Sequence, residues 1–135
     1  MDSRADLDEL VDHLFGFAEL TLKRHGEFYP FAAHMTEDGQ VVSVAVDMDD
    51  DQPESVAVID ELVAVLRATP STRAVGVCFD AVVDLGDGPT DAVRADLEHR
   101  DADPISVILP YRLRRLRSPS FGEVVAAPGE ARVYA

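Results

Sequence analysis

The chain has 135 residues, enough for one hydrophobic core and too few for two domains. Apolar residues make up 47%, aromatics 7% and charged residues 28%, the proportions of a globular protein rather than a disordered one. With 26 acidic against 12 basic side chains the net charge is -14, which repels phosphate backbones and anionic lipid headgroups. Nucleic acid and membrane are therefore excluded as default partners.

No apolar run approaches the ~18 residues of a membrane-spanning helix. The opening Met1-Asp2-Ser3-Arg4-Ala5-Asp6 is too acidic for a secretory signal, so a cytoplasmic protein is expected. The single Cys78 has no partner for an intrachain disulfide, in keeping with a reducing compartment.

Ser3 is placed to cap a first helix, with Asp6, Asp8 and Glu9 in its first turn. Leu7, Leu10, Val11, Leu14, Ala18, Thr21 and Leu22 form its stripe, and Gly26 ends it after Lys23, Arg24 and His25. Phe15 and Phe17 lie off that stripe, so they widen the buried face or one of them meets a second surface. An aromatic stretch, Phe28-Tyr29-Pro30-Phe31, then leads into a strand that reaches the turn signal Asp38-Gly39. Taken as a two-residue turn, this pair sets Met35 opposite Val42, Ala33 opposite Val44 and Phe31 opposite Val46, with one apolar face turned to the helices.

After the acidic connection Asp47 to Asp51, Pro53 suits the first turn of a second helix. Its stripe reads Val56, Ile59, Leu62, Val63 and Leu66, and Pro70 stops it. From Arg73 the period becomes two: Val75, Val77, Phe79, Ala81 and Val83 alternate with Gly76, Cys78, Asp80, Val82 and Asp84. Gly86-Asp87-Gly88-Pro89 turns the chain into a strand alternating Val93, Ala95, Leu97 and His99 against Arg94, Asp96, Glu98 and Arg100. Asp101 to Pro104 turns it again into Ile105, Val107, Leu109 and Tyr111. The expected fold is one α+β domain of order α-β-β-α-β-β-β. Its five-stranded antiparallel sheet has one apolar and one mostly polar face, and two helices cover it.

Residues 112–135 read as an irregular tail. They hold 5 basic and 2 acidic side chains, against 7 and 24 in the core, residues 1–111, so the tail is expected to pack on the body or on a partner subunit. Arg112, Arg114, Arg115 and Arg117 are the candidate interaction residues, first as a clamp within the chain or between subunits, with an acidic partner or nucleic acid, or simple solvation, as the alternatives.

No assembled catalytic set is present. The EF-hand pattern fails on the acidic connection, because its sixth position is Gln52 and its twelfth Val58. His13, His25, His34 and His99 lack metal-ligand spacing, so neither metal nor cofactor is expected. Asp80, Asp84, Asp96 and Glu98 are expected on the polar sheet face, where Arg94 and Arg100 would pair with them across strands. Cys78, two positions before Asp80, has an acidic neighbourhood and reads as a packing residue. Glycine-rich phosphate loops and nucleophile elbows are lacking.

The order of elements resembles the roadblock and profilin-like layout, a small regulatory scaffold. The segments Phe28 to Ala32, Asp91 to His99, Leu109 to Arg112 and Phe121-Gly122-Glu123 resemble a group of small acidic bacterial proteins of unknown function, which implies no activity. Lys23 is the only lysine among the 12 basic residues, which points to a GC-rich genome. The leading expectation is a non-enzymatic scaffold or partner-binding domain, as a homodimer or with a protein partner. One alternative is a small-molecule binder or enzyme with a pocket near Tyr29, His34, Glu98, His99 and Tyr111, using His99 or Glu98 for acid-base work. Another is an immunity-type inhibitor that covers a basic toxin or nuclease.

Overall fold

The structure, a computed structural model, describes residues 2–48 and 54–135. The first helix, α1, spans Ser3–His25. Its cap is Asp2 rather than Ser3: the Asp2 carboxylate accepts from the backbone N–H of Arg4 at 3.0 Å and of Ala5 at 3.3 Å. A carboxylate at that place also adds charge where the helix dipole favours it. Gly26 closes the helix at φ 73°, its N–H reaching the Leu22 carbonyl at 2.9 Å. Of the two off-stripe aromatics, Phe15 is buried and Phe17 is 54% exposed.

Strands β1 (Phe31–Thr36) and β2 (Val41–Val44) form the first hairpin, but in a register one residue away from the expected one. Met35 pairs with Val41 and Ala33 with Ser43, so Val42 and Val44 lie on the opposite face from Met35 and Ala33. The cause is the turn. The Gly39 N–H donates to the Thr36 carbonyl at 3.0 Å and the Thr36 N–H to the Gln40 carbonyl at 2.8 Å. Glu37, Asp38 and Gly39 thus make a three-residue loop, with Gly39 at φ 89° supplying the left-handed position.

Helix α2 runs Ser55–Ala68 and buries Val58, Leu62, Val63 and Leu66, while Val56 faces solvent. Pro53 and Asp49 to Asp51 lie outside the described residues. Strands β3 (Thr72–Asp84), β4 (Pro89–His99) and β5 (Ala102–Arg114) form the central meander. The whole sheet is antiparallel in the order β2-β1-β3-β4-β5, and it continues beyond the five expected strands.

The two helices cover opposite faces. On the α1 face, Leu10, Leu14 and Leu22 pack on Ala33, Met35, Cys78, Val93, Ala95 and Leu97. On the α2 face, Leu62, Val63 and Leu66 pack on Ala32, Val75 and Val77. The expected division into one apolar and one polar face therefore fails, because Val75 pairs with Glu98 and Val77 with Asp96. The apolar stripe of β3 faces α2, whereas that of β4 faces α1. Gly76 lets α1 approach β3 closely, since a Cβ there would sit 2.7 Å from both Leu14 Cδ1 and Leu97 Cδ2.

The tail is not irregular. Strands β6 (Arg117–Phe121) and β7 (Val125–Pro128) both pair with β5, giving seven strands in all among the described residues. β6 pairs Tyr111 with Phe121 and β7 pairs Ile108 with Val125, so the two form one interrupted strand along β5. Their Pro119 and Pro128 weaken any strand pattern in the sequence, yet an edge strand tolerates proline. The last residues then cross to the α2 face, where Val133 and Tyr134 pack against its core.

Candidate functional site

The residues expected to share a pocket are spread over the molecule. Tyr29, in the α1–β1 loop, is 59% exposed. His34 projects from β1 on the face opposite Met35, its Nδ1 buried without a hydrogen-bond partner among the described residues. Tyr111 lies on the α1 face at the far end of β5, where its hydroxyl donates to Asp80 at 2.8 Å. Only Glu98 and His99 meet, at a cleft of about 260 Å³ with Arg100 and Tyr134, and they approach it from opposite faces of β4.

Both of those groups are already engaged. His99 Nδ1 accepts from the Asp101 N–H at 3.0 Å, so Nε2 carries the proton and donates to Asp6 at 2.9 Å. Asp6 also receives Arg73 at 3.3 Å, which ties the start of α1 to β3 and β4. The Glu98 carboxylate accepts from the backbone N–H of Val133 at 2.9 Å and of Tyr134 at 3.0 Å. These bonds hold both side chains in place, His99 between Asp101 and Asp6 and Glu98 against the end of the chain.

The acidic residues also separate. Asp80 pairs with Val93 and lies on the α1 face, where burial lifts its carboxyl above the usual range despite the Tyr111 hydrogen bond. Asp96 lies on the other face and takes Arg94 at 2.8 Å and the Ser106 hydroxyl at 2.7 Å. Cys78 is buried, and burial, then Asp80 and Asp96, push its thiol far above the thiolate range. Among the described residues no three His, Cys, Asp or Glu side chains converge as a metal-ligand set, and no helix is long and apolar enough to cross a membrane.

Arg112, Arg114, Arg115 and Arg117 cluster on the β5–β6 hairpin and form no ion pair among the described residues. The ion pair that binds the end of the chain to the body comes from Arg132 instead. Its guanidinium reaches Asp60 at 2.9 Å, and its carbonyl accepts from Arg67. Tyr134 bonds Thr72 at 2.7 Å beneath the Arg100 guanidinium, which stands 4.1 Å from its ring centre. Asp6, Arg73, Arg132 and Tyr134 carry no sequence signal, because their partners lie far along the chain.

A largely apolar cleft of about 540 Å³ opens at the C-terminal end of α1. Phe17, Phe28, Tyr29, Phe31, Val44 and Val46 line it, and Phe17 meets Phe31 edge to face at 4.8 Å. The cleft borders the outer edge of β2, which among the described residues pairs with no strand besides β1. Because Thr36 and Gln40 are a hydrogen-bonded pair, ladder alternation turns the N–H and C=O of Val41 and Ser43 outward. Residues 41–44 contain neither charge nor proline, whereas β6 and β7 at the other edge carry Arg117, Pro119 and Pro128. Glu37 and Asp38 stand at one end of the β2 edge, and Glu27 and Asp47 near the other.

No protein-family profile matches the chain, and searches of the curated proteins and of the solved structures return no match.

Proposed function

We propose that this protein is a non-catalytic partner-binding module that takes an extended segment of another protein as an added strand on β2. The observation that carries this reading is the edge of residues 41–44, unpaired on its outer side among the described residues and running into the apolar cleft. Main-chain hydrogen bonds to Val41 and Ser43 would supply affinity, and an aromatic or aliphatic side chain placed between Phe17 and Tyr29 would supply selectivity. The carboxylates at both ends of the edge favour a segment flanked by Lys or Arg, and the net charge of -14 speeds its approach.

The test uses a short synthetic peptide of alternating Val and Thr with one central Phe and a Lys at each end. Fluorescence anisotropy should report saturable binding, and amide exchange at Val41 and Ser43 should slow in the complex. Ser43→Pro removes an outward N–H while sparing the bonds to β1; with Ser43→Ala as the control for the lost His13–Ser43 hydroxyl bond at 2.7 Å, it should weaken binding about tenfold or more, ~1.4 kcal/mol. Tyr29→Ser, at an exposed position, should weaken binding with no change in the unfolding midpoint. Unchanged exchange at those two amides, or equal binding by Ser43→Pro, would rule out strand addition.

A further inference from the structure

A second opening, of about 530 Å³, lies between two hairpins at the far end of β5. One hairpin joins β3 to β4 through Leu85 to Gly88; the other joins β5 to β6 through Arg115 and Leu116. Since β4 and β5 are neighbours, both tips project from the same end of the sheet, roughly 10 Å apart at two strand spacings. One tip is acidic, with Asp84, Asp87 and Asp91. The other is basic, with Arg112, Arg114, Arg115 and Arg117.

Although adjacent, the two tips form no ion pair with each other among the described residues. Asp84 instead holds its own turn, accepting from Gly86 N–H at 2.8 Å and Gly88 N–H at 3.3 Å. Both tips also expose apolar side chains. Val82 is 70% exposed, and Leu116 is 96% exposed at the summit of its turn. Leu116 holds φ 59°, a left-handed conformation that costs a leucine about 1 kcal/mol or more and that glycine adopts freely. A strained leucine held fully in water between arginines contributes nothing to this domain's own core.

We infer that the two hairpins form a self-complementary surface for a second copy of this chain, with Leu116 of each copy entering the other's cleft between the tips. A two-fold axis passing between the tips sets the acidic tip of one copy against the basic tip of the other, twice over, as an isologous interface requires. The cleft offers Val82, Leu85, Pro89, Pro110 and Tyr111 to an incoming leucine, with Asp87 and Asp91 at its rim for the arginines beside it. Charge complementarity selects this occupant: residues 1–111 carry a net -17 and residues 112–135 a net +3, so the basic tip is drawn to an acidic protein surface. The β2 edge lies three strands from β4 and stays free, so the dimer would present two peptide-binding edges.

The test is sedimentation velocity of the full chain across a concentration series at low and high ionic strength. Wild type should pass reversibly from monomer to dimer, with weaker association in high salt. Leu116→Gly removes the side chain and the strain together, so it should keep or raise the unfolding midpoint of the dilute protein while weakening dimerisation tenfold or more. Arg115→Glu and Asp87→Lys should each weaken the dimer, and the double variant should regain it, because reversed charges still oppose each other across the axis. The inference is overturned if wild type stays monomeric throughout, if Leu116→Gly assembles like wild type, or if the double variant is no better than either single one. A monomeric wild type that retains an anionic polymer through the four arginines would overturn it in favour of a phosphate-bearing partner. None of these outcomes depends on peptide binding at β2.

Discussion

Asp80 shows how a single residue's surroundings become a stability term. Burial raises its carboxyl above the usual range, whereas the Tyr111 hydroxyl favours its charged form less strongly. Tyr111 is itself held protonated by burial and by that bond. A carboxyl raised on folding binds protons more tightly in the native state. It therefore costs stability as pH rises from the ordinary carboxyl range through the elevated value, and the cost is complete above that value. Asp80→Asn keeps an oxygen for Tyr111 and removes the charge. The variant should unfold at higher urea than wild type at neutral pH, with the difference shrinking toward zero as pH falls below the ordinary carboxyl range. A difference independent of pH would show that the charge is not what is being relieved.

At the scale of elements, the C-terminal segment after β7 behaves as a strap. Gly129 bonds Pro104, Arg132 pairs with Asp60, and Glu98 collects two successive backbone N–H groups. A charged acceptor shared by two amides is a strong anchor, and removing it leaves both donors without a protein partner. Glu98→Ala should cost about 1–3 kcal/mol of local stability. Amide exchange at Val133 and Tyr134 should accelerate, and trypsin should cut faster after Arg132, while exchange in β3 and β4 stays slow. Equal acceleration across the sheet would instead make Glu98 a core residue and not a strap anchor. Besides Pro119 and Pro128, what hid the strap and β6–β7 is the hairpin before them, which turns on Arg115-Leu116 and lacks the Gly, Asn or Asp that marks a left-handed turn position.

Across the whole molecule, a net charge of -14 on 135 residues sets long-range repulsion against one two-sided core. At 0.1 M salt that repulsion is largely screened between exposed groups more than about 10 Å apart. The thermal midpoint of the monomer, measured in dilute protein, should therefore rise by a few degrees as sodium chloride is added from low to moderate concentration. A midpoint that falls would show that ion pairs such as Arg94–Asp96 and Arg132–Asp60 outweigh the repulsion.

Local chemistry made much of this legible without coordinates. Gly26 had to end α1, the 3.6-residue stripe of Leu10, Leu14 and Leu22 had to be buried, and the alternation after Arg73 had to be strand. Those features depend on neighbours within one or two turns, and the sequence by itself determined them, along with the α+β class and the excess of negative charge. What each stripe faces depends on register and on which elements meet, and only the tertiary structure decided that. One residue in the Glu37-Asp38-Gly39 loop moved Val42 and Val44 to the other face, and pairing Val75 with Glu98 sent the stripes of β3 and β4 to different helices. The grouping of Asp6, Arg73 and His99, the unpaired edge of β2 and the adjacency of two oppositely charged hairpins are likewise products of long-range packing. The strand period is two and the sheet is covered on both sides, so an apolar stripe records that a face is buried and carries no information about which layer buries it.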